Sequence, residues 1–218
     1  MIEADLGLGF GPALADAAPR LAAAGPFLLR HERGHRAVLP VRRWHDVAGA
    51  AEGWALDRAA GPALDVGCGP GRITQALVAR GIAALGVDVS AEAVRSARLR
   101  GVAALRRSIF DPLPGAGRWA SALLLDGNIG IGGEPLALLG RIGELLRPDG
   151  RVLVELAPPG TLLRRFRARV EWLAGATEWF PWVEVGADRI RGLAEAASFV
   201  VSERGREGNR WFARLDRP

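Results

Sequence analysis

The chain of 218 residues is long enough for one domain with a sizeable hydrophobic core and too short for two domains of ordinary size. Its composition, 49% hydrophobic and 24% charged, is globular; no uninterrupted apolar run reaches the roughly 18 residues of a membrane span, and a single cysteine excludes an intrachain disulfide. All 29 basic residues are arginine, so the sequence pI of about 11.1 reflects the pKa of arginine more than the net charge of +5.

The distribution of charged and metal-ligating residues restricts the kinds of partner that the protein is expected to bind. Basic residues are interspersed with 24 acidic ones and form no block, which disfavours nucleic acid. Cysteine and histidine form no cluster with metal-ligand spacing, and the first residues do not read as a signal peptide. We therefore expect a soluble cytoplasmic protein that binds neither a membrane nor a metal ion.

Residues 1–61 are interpreted as an N-terminal extension and not as an independent domain, because no hydrophobic period is sustained through them. The Ala-rich residues 12–24 favour a helix, and Asp46 is predicted to cap a second helix running to about Ala59. All three histidines of the chain, His31, His35 and His45, lie in this extension. We expect the extension to cover a cofactor or substrate.

The next stretch, residues 64–72, reads LDVGCGPGR. Ala63–Val66 predicts a buried strand and Ile73–Arg80 predicts a helix. Glycines fill the turn between them because a Cβ atom would block both a positive φ and the close approach of a ligand, while N–H groups at a helix start favour polar or anionic groups. The turn, which contains Gly67, Gly69 and Gly71, therefore predicts a site for a nucleoside-like cofactor.

The spacing of polar residues around this turn separates two classes of cofactor. A dinucleotide fingerprint places its third glycine three residues after the second, where this chain has Arg72. Asp65 lies within the motif, two residues before Gly67. The next apolar run, Leu85–Val89, contains Asp88, which lies 21 residues after Gly67. At this distance a second parallel strand would offer a carboxylate to ribose hydroxyls.

On these residues the chain resembles the class I S-adenosylmethionine-dependent methyltransferases. Their first motif is acidic-x-Gly-x-Gly-x-Gly, followed by an acidic residue at the end of the second strand. The resemblance implies S-adenosylmethionine as cofactor, S-adenosylhomocysteine as product, and a Rossmann-like, doubly wound α/β fold. It also implies that the cofactor is bound by Asp65, Gly67, Cys68, Gly69, Gly71, Asp88 and Val89.

Strands and helices are predicted to alternate downstream, which implies a parallel sheet with helices on both faces. The resemblance makes this a mostly parallel seven-stranded sheet with an antiparallel final strand, carried by a methyltransferase domain over residues 62–218. Arg147–Gly150 is predicted to be a turn before a fifth strand. The other predicted elements are a helix from Ala91 to Arg100 capped by Ser90, strands at Ala103–Arg106, Ala122–Asp126 and Val152–Leu156, and a helix opened by Pro135.

Two stretches near the C-terminus predict antiparallel pairs. Arg165–Trp172 alternates polar and apolar residues, which is typical of a half-buried strand, and Trp179–Val185 is its predicted partner in an extra hairpin at about residues 163–186. Asp188 is predicted to cap a helix to about Ala197. A last pair, Phe199–Glu203 and Arg210–Leu215, is joined through Gly208-Asn209.

Two loops extend the resemblance. Ser108–Pro114 occupies the segment where the family reads the adenine, often through an Asp side chain and the following backbone N–H. In this chain the Ser108 hydroxyl and the Ile109 N–H are expected to make those contacts; ordinary turn chemistry, with Asp111 before Pro112, is the alternative. Leu125–Gly133 follows the fourth strand, so Asp126, Gly127 and Asn128 are expected to face the methionine part of the cofactor. This loop lacks the AspProProTyr sequence of amino-methylating DNA and protein enzymes.

Methyl transfer mainly requires that nucleophile, methyl group and sulfur be held in line, and a base is needed only when the acceptor must lose a proton. The catalytic candidates are His35, His45, Asp126 and Asn128, with His31 as a third titratable imidazole. The aromatic cluster Trp179, Phe180 and Trp182 is predicted to wall a substrate pocket, with core packing as the alternative.

The sequence thus predicts a methyltransferase, monomeric or homodimeric, acting on a small or medium-sized organic acceptor. An RNA-modifying methyltransferase and a non-catalytic S-adenosylmethionine-binding regulatory protein are the alternatives.

Overall fold

The computed structural model describes residues 27–39, 44–49, 52–173 and 175–218. The helix predicted over residues 12–24 lies outside the described residues. In chain order the elements are β1 (Leu28–His31), β2 (Arg36–Val38), α1 (Gly53–Leu56), β3 (Ala63–Val66), α2 (Arg72–Ala79), β4 (Ala84–Asp88), α3 (Ala91–Leu99), β5 (Ala104–Arg106), β6 (Trp119–Leu124), a 3-10 segment (Asn128–Gly133), α4 (Pro135–Leu145), β7 (Leu146–Leu156), β8 (Leu163–Trp172), β9 (Gly175–Ala176), β10 (Phe180–Val185), α5 (Ile190–Ala196), β11 (Val200–Glu207) and β12 (Arg210–Asp216).

The main sheet has seven strands in the order β11-β12-β7-β6-β3-β4-β5. The five strands from β7 to β5 are parallel to their neighbours, whereas β12 pairs antiparallel with both β7 and β11. The predicted fold class, a mostly parallel seven-stranded sheet with an antiparallel final strand, is confirmed.

Helices cover both faces of this sheet. They are required there because successive apolar side chains of a buried strand point to opposite faces, and both must be buried. On one face Leu124 packs in a core with Leu138 and Ile142 of α4. On the other, Leu123 packs with Ile73 and Leu77 of α2. Because consecutive residues of β6 point to opposite faces and both faces are buried, the strand reads as a continuous apolar run, and the sheet is doubly wound.

A second, antiparallel sheet has the order β10-β8-β1-β2, with β9 also pairing with β8. The predicted hairpin is present as β8 and β10, and the N-terminal strands β1 and β2 extend it. The alternation predicted for β8 is found: Phe166, Ala168 and Val170 are buried, while the arginines between them point to the opposite face. An isolated bridge from Ala157 to Gly186 joins the end of β7 to the end of β10. The second sheet therefore begins at the carboxyl edge of the main sheet.

Three local predictions were wrong. The helix predicted to run from Asp46 to about Ala59 is only Gly53–Leu56 among the described residues: residues 47–49 are not helical, and the Gly49 N–H donates to the Glu52 carboxylate at 2.9 Å. Asp188 does not cap α5; its carboxylate accepts the Gly160 N–H at 3.2 Å instead. Residues 147–150 are no separate turn but an irregularity within β7, whose pairing with β6 skips from Trp119–Leu146 to Ser121–Arg151.

The predicted N-cap of α3 is present, and its removal has a measurable expectation. Ser90 is 2% exposed and its hydroxyl accepts the Ala93 N–H at 3.1 Å. We expect Ser90→Ala to lower the free energy of unfolding by about 1 kcal/mol, since the N–H loses its acceptor. Urea unfolding measures this, with Ser90→Thr as the control that keeps a hydroxyl. An unchanged midpoint for the alanine variant would show that the cap contributes nothing.

Candidate active site

The glycine turn between β3 and α2 has three left-handed residues that serve different purposes. Gly67, Gly69 and Gly71 have φ values of 70°, 54° and 84°. A Cβ atom on Gly71 would lie 2.8 Å from the Cβ atom of Ala97, so this glycine allows the turn to pack against α3. A Cβ atom on Gly69 would meet nothing within 4 Å. Gly69 therefore faces open space, where a ligand can approach the backbone.

Asp88, the last residue of β4, ties this turn to the neighbouring strand. Its two carboxylate oxygens accept the N–H of Gly69 at 2.9 Å and the N–H of Ser90 at 2.8 Å. Burial raises the pKa of Asp88, and the backbone hydrogen bonds oppose that shift. The residue predicted to grip a ribose thus also fixes the glycine turn.

A cleft of about 280 Å³, open to solvent, lies at the carboxyl ends of β3, β4 and β5. Five residues predicted to bind a cofactor line it together: Gly67, Asp88, Val89, Ser108 and Ile109. The remaining lining residues are Val66, Val87, Arg107 and Ile131. Ligands of open parallel sheets bind at this edge, so the cleft is the candidate site.

The loop after β5 has features of both interpretations made from its sequence, a cofactor-binding segment and an ordinary turn. Ser108 and Ile109 line the cleft. The same loop is a side-chain-stabilised turn, because the Ser108 N–H donates to the Asp111 carboxylate at 3.1 Å and the Ser108 hydroxyl accepts the Phe110 N–H at 3.2 Å. Asp111 therefore shapes the loop.

Asp65 and Cys68 do not line the cleft, although both belong to the motif. The Asp65 carboxylate accepts the hydroxyl of Thr74 at 2.7 Å, and burial raises its pKa to about 6. Cys68 packs in a small core with Val94, Ala97, Val102 and Ala104. The sulfur occupies the space where a Cβ atom on Gly86 would stand, at 2.6 Å.

The packing of Cys68 predicts an unreactive thiol. Its side chain is buried, and this burial raises the pKa of the thiol well above its ordinary value, so little thiolate exists at neutral pH. We expect Ellman's reagent to modify the native protein more than about a hundredfold more slowly than the urea-unfolded chain. Equal rates in the two states would place the thiol on the surface.

The loop after β6 is fixed to the glycine turn by Asn128. Its amide donates to the carbonyl of Val66 at 2.8 Å and to that of Gly67 at 3.0 Å. Asp126 and Gly127, just before it, both have left-handed backbones with φ of 54° and 83°. A positive φ is uncommon for a residue with a Cβ atom, so surrounding contacts must hold Asp126 in place.

Those contacts form a buried network of ion pairs. The Asp126 carboxylate accepts hydrogen bonds from the guanidinium groups of Arg72 at 2.6 Å and Arg210 at 3.1 Å. The backbone N–H of Asp126 donates to the Glu155 carboxylate at 2.6 Å. Glu155 also accepts two hydrogen bonds from Arg210, at 2.7 and 2.5 Å. Glu52 bridges both arginines, 2.8 Å from Arg72 and in direct hydrogen-bond contact with Arg210.

Four members of this network, Glu52, Arg72, Glu155 and Arg210, were missed by the sequence analysis. Arg210 and Glu52 are 158 positions apart, so no local spacing links them. The one available signal was Arg72, which stands directly after the glycine turn in the place of a dinucleotide glycine. Burial disfavours the charge of Arg210, but its hydrogen bond to Glu155 and the adjacent carboxylates outweigh this and raise its pKa.

None of the three histidines lines the cleft. His31 stacks on Phe166 with ring centroids 3.9 Å apart, and burial lowers its pKa. His35 is exposed in the turn between β1 and β2. The His45 carbonyl accepts a hydrogen bond from Arg100, and burial, followed by that guanidinium, lowers the pKa of its ring.

The three aromatic residues at the start of β10 differ in burial. Phe180 and Trp182 are buried in the main core with ring centroids 6.1 Å apart, edge to face. Trp179 is only half-buried, and the Arg169 guanidinium lies 4.8 Å from its ring centroid. A Cβ atom on Gly130 would lie 2.6 Å from the Trp182 ring, so Trp182 supports the loop that follows Asn128.

Two further observations concern the described part of the chain only. Across residues 27–39, 44–49, 52–173 and 175–218, no group of three His, Cys, Asp or Glu side chains could hold a metal ion. Nor does any helix in these ranges have the length and apolarity to cross a membrane.

Comparisons with known proteins define the class. Residues 63–150 match a family described as the methyltransferase domain. One similar solved structure is an S-adenosylmethionine-dependent methyltransferase from Bacteroides fragilis in complex with S-adenosyl-L-homocysteine. It superposes on this chain with a TM-score of 0.79 and 25% identity, over 99% of this chain and 97% of the Bacteroides fragilis chain. No curated protein sequence matches significantly.

Two more distant solved structures share the fold. One is the 1,6-didemethyltoxoflavin-N1-methyltransferase of Burkholderia thailandensis, with a TM-score of 0.58 and 19% identity over 96% of this chain and 91% of its own. The other is a sugar N-methyltransferase from Streptoalloteichus, with a TM-score of 0.58 and 18% identity over 77% and 87%. Residues 63–150 thus match a methyltransferase domain, and the chain shares its fold with S-adenosylmethionine-dependent methyltransferases, so the resemblance seen in its sequence is confirmed.

Proposed function

We propose that this protein binds S-adenosylmethionine in the cleft and transfers its methyl group to a small or medium-sized organic acceptor. The observation that carries the proposal is the pairing of Asp88 with Gly69: a carboxylate at the end of the second parallel strand, hydrogen-bonded to an open glycine turn. The Bacteroides fragilis methyltransferase with the same fold over nearly its whole length was solved with the product of such a cofactor.

The residues of the cleft fit an adenosyl group. Asp88 offers carboxylate oxygens to ribose hydroxyls, and Gly69 lets a ligand approach the turn without a side chain in the way. The Ile109 N–H has no acceptor among the described residues and can donate to a base edge, while Ile109 and Ile131 provide apolar walls. Gly67, Val89 and Ser108 complete the proposed contacts.

When bound, S-adenosylmethionine supplies an electrophilic methyl group on a sulfonium, whose departure leaves a neutral thioether. The residues of this chain contribute orientation, which can supply about 7 to 11 kcal/mol of the barrier. Asn128 joins the loop after β6 to the glycine turn, and Asp126 is held by arginines. We therefore assign both a positioning role and not the role of base.

The proposal leaves few groups that could accept a proton. His35 and His45, predicted as catalytic, lie outside the cleft lining. His31 lies on the second sheet, which begins at the carboxyl edge of the main one, and its lowered pKa would keep the ring neutral and able to accept a proton at neutral pH. An acceptor that is already nucleophilic needs no base.

The choice of a small acceptor rests on three observations. The loop from Asp126 to Gly133 lacks the AspProProTyr sequence. The Burkholderia thailandensis and Streptoalloteichus enzymes of the same fold are named for a toxoflavin precursor and a sugar. Charge is dispersed, with 24 acidic residues among 29 arginines, which does not favour a nucleic-acid surface.

Methyl-labelled S-adenosylmethionine tests the proposal. Purified protein is incubated with the small-molecule and RNA fractions of a cell extract, and label is expected in the small-molecule fraction, with little change between about 50 and 200 mM salt. Label in RNA that falls steeply with salt would establish an RNA enzyme instead. Cofactor binding without transfer to either fraction would indicate a regulatory protein.

A further inference from the structure

One face of the second sheet gathers arginines that are dispersed along the sequence. Residues paired directly across antiparallel strands project from the same face of a sheet. Arg36 of β2 pairs with Arg30 of β1, and Arg30 pairs with Arg169 of β8, so these three arginines form a row across three strands. Arg167 and Arg165 lie on the same face, because alternate residues of a strand share a side. We call these five residues the arginine face.

The row of three arginines contains two pairs of like charges directly opposite each other, an arrangement that destabilises a sheet. Within the described strands of this sheet, Glu171 is the one acidic residue on the arginine face, 2.5 to 3.7 Å from each guanidinium of the row. The other face of β8 differs, since Arg164 lies opposite Glu184 of β10 and donates to its carboxylate at 3.0 Å. One carboxylate therefore serves three guanidinium groups on the arginine face.

The other two arginines of this face are also weakly neutralised. The Arg165 guanidinium lies 3.2 Å from the Glu134 carboxylate, and both side chains are more than half exposed. The Arg167 guanidinium donates to a backbone carbonyl just before β10 at 3.2 Å and forms no ion pair with the described residues. Glu32 and Arg33, in the exposed turn after β1, add one charge of each sign. Positive charge on the arginine face is therefore available to an outside partner.

Two protruding apolar side chains lie at one end of the arginine face. Val38, two residues beyond Arg36 on β2, is 68% exposed. Leu173, at the tip of the hairpin between β8 and β9, follows Arg169 by four residues and is 84% exposed. Because β2 and β8 are both antiparallel to β1, they run in the same direction, and the two apolar residues lie at the same end. The surface is thus basic along its length and apolar at its end.

This combination matches the chemistry of an anionic membrane surface. Guanidinium groups donate pairs of hydrogen bonds to phosphate oxygens, and clusters of about four to eight basic residues are typical of binding to anionic lipids. Aliphatic side chains that protrude beside such a cluster can enter the boundary between headgroups and acyl chains. Basic charge and apolar insertion together bind a bilayer more stably than either does alone.

A nucleic acid fits this surface less well. Phosphates of a nucleic acid would satisfy the arginines but leave Val38 and Leu173 exposed to water. Proteins that hold single strands also stack bases on free aromatic rings. The ring of Trp179, beside this face, is not free in that sense, because the Arg169 guanidinium lies 4.8 Å from its centroid.

We propose that the arginine face, with Val38 and Leu173 at its end, binds the surface of a membrane that contains anionic lipids. The protein lies on the bilayer and does not cross it. The sequence-based expectation of no membrane partner rested on the lack of a long apolar run, which concerns spanning segments only. The inference is independent of the proposed function, because membrane binding is measured without cofactor or methyl acceptor.

Sedimentation with lipid vesicles tests the inference. One set contains phosphatidylcholine with about 30% phosphatidylserine, and the other contains phosphatidylcholine alone. We expect binding to the anionic vesicles to be at least about tenfold tighter than to the neutral ones. This binding should weaken as the salt concentration rises from about 50 to 500 mM, since exposed charges are screened.

A double variant tests the arginine face. Arg165→Gln combined with Arg167→Gln should bind anionic vesicles about 25-fold more weakly, which is about fivefold for each guanidinium. Arg189→Gln combined with Arg191→Gln is the matched control, because it removes the same charge at exposed positions beside and on α5. Its affinity should stay within about threefold of the wild type, since charges distant from the contact are screened.

A second variant tests the apolar end. Leu173→Asp should weaken vesicle binding about tenfold, because a carboxylate cannot replace a leucine in the acyl-chain boundary. Leu99→Asp is the matched control, since Leu99 is 82% exposed at the end of α3, far along the chain from the second sheet. Thermal unfolding verifies the fold of each variant. If the double arginine variant does not fold, Arg36→Gln replaces it, at a side chain that is 53% exposed.

The outcomes separate the alternatives. Losses in the arginine and leucine variants that are absent from their controls would support the inference. Equal binding to neutral and anionic vesicles, or anionic binding that these variants do not change, would overturn it. No vesicle binding would also overturn it, and binding to single-stranded RNA or polyglutamate in that case would assign the arginine face to a nucleic acid or an acidic protein instead.

Discussion

Replacing Asp88 by alanine is expected to weaken the binding of S-adenosylhomocysteine by about 1.5 to 3 kcal/mol, roughly 10- to 150-fold. One part of this loss is the proposed contact with the ribose hydroxyls. Another is the geometry of the site, because the alanine side chain leaves the Gly69 and Ser90 N–H groups without the acceptor that they have in the structure. Titration calorimetry measures the affinity, with unfolding monitored in parallel.

Two variants show whether the loss is specific to the carboxylate. Asp88→Asn keeps an acceptor oxygen of the same reach, so we expect a smaller loss than with alanine. Asp111→Ala changes a carboxylate that shapes the nearby loop without lining the cleft, and its affinity should stay much closer to wild type. Wild-type affinity in the Asp88→Ala variant would mean that the ribose lies elsewhere.

The fold could be predicted from the sequence because its principal signals are local. The glycine turn, the apolar run of β6 and the strict alternation of β8 each specify an element within about ten residues. Ser90 was identified as an N-cap because a hydroxyl just before an apolar-periodic segment satisfies a helix N–H. The number of strands in the main sheet and its antiparallel final strand came from the resemblance and agree with the structure.

The errors arise where a long-range contact outweighs a local preference. Asp46 and Asp188 are good cap residues, yet neither begins a helix. Glu52, directly before the four-residue α1, accepts the Gly49 N–H and forms ion pairs with Arg72 and Arg210, far along the chain. The pairing of β1 with β8 could not be read from the sequence either, since only three or four residues of β1 carry a pattern.

The candidate site was predicted in part for the same reason. Gly67, Asp88 and Ile109 meet in one cleft because adjacent parallel strands end at the same edge. Asp65 and Cys68 share the motif, but Asp65 bonds Thr74 of α2 and Cys68 packs with Val94 and Ala97 of α3, so neither lines the cleft. The role of Asp126 could not be predicted because its partners, Arg72, Glu155 and Arg210, come from three separate segments of the chain.

Replacing Arg210 by alanine is expected to have the largest effect on stability. Its guanidinium meets Glu52, Asp126 and Glu155, with only 8% of the side chain exposed. Without it, the carboxylates of Glu52, Asp126 and Glu155 each lose an ion-pair partner, and breaking a buried network in this way costs about 3 to 5 kcal/mol. Urea unfolding should show a lower midpoint with an unchanged m-value, the mark of lost stability in an otherwise similar two-state transition.

Arg214→Ala on the same strand is the matched control. Arg214 pairs with Asp216 at 2.9 Å, but 28% of its side chain is exposed, and such pairs contribute about 0 to 1 kcal/mol. We expect Arg210→Ala to exceed this control by at least about 2 kcal/mol, because only Arg210 leaves buried charges uncompensated. Equal effects in the two variants would mean that burial of the Arg210 ion pairs adds no stability beyond that of an exposed pair.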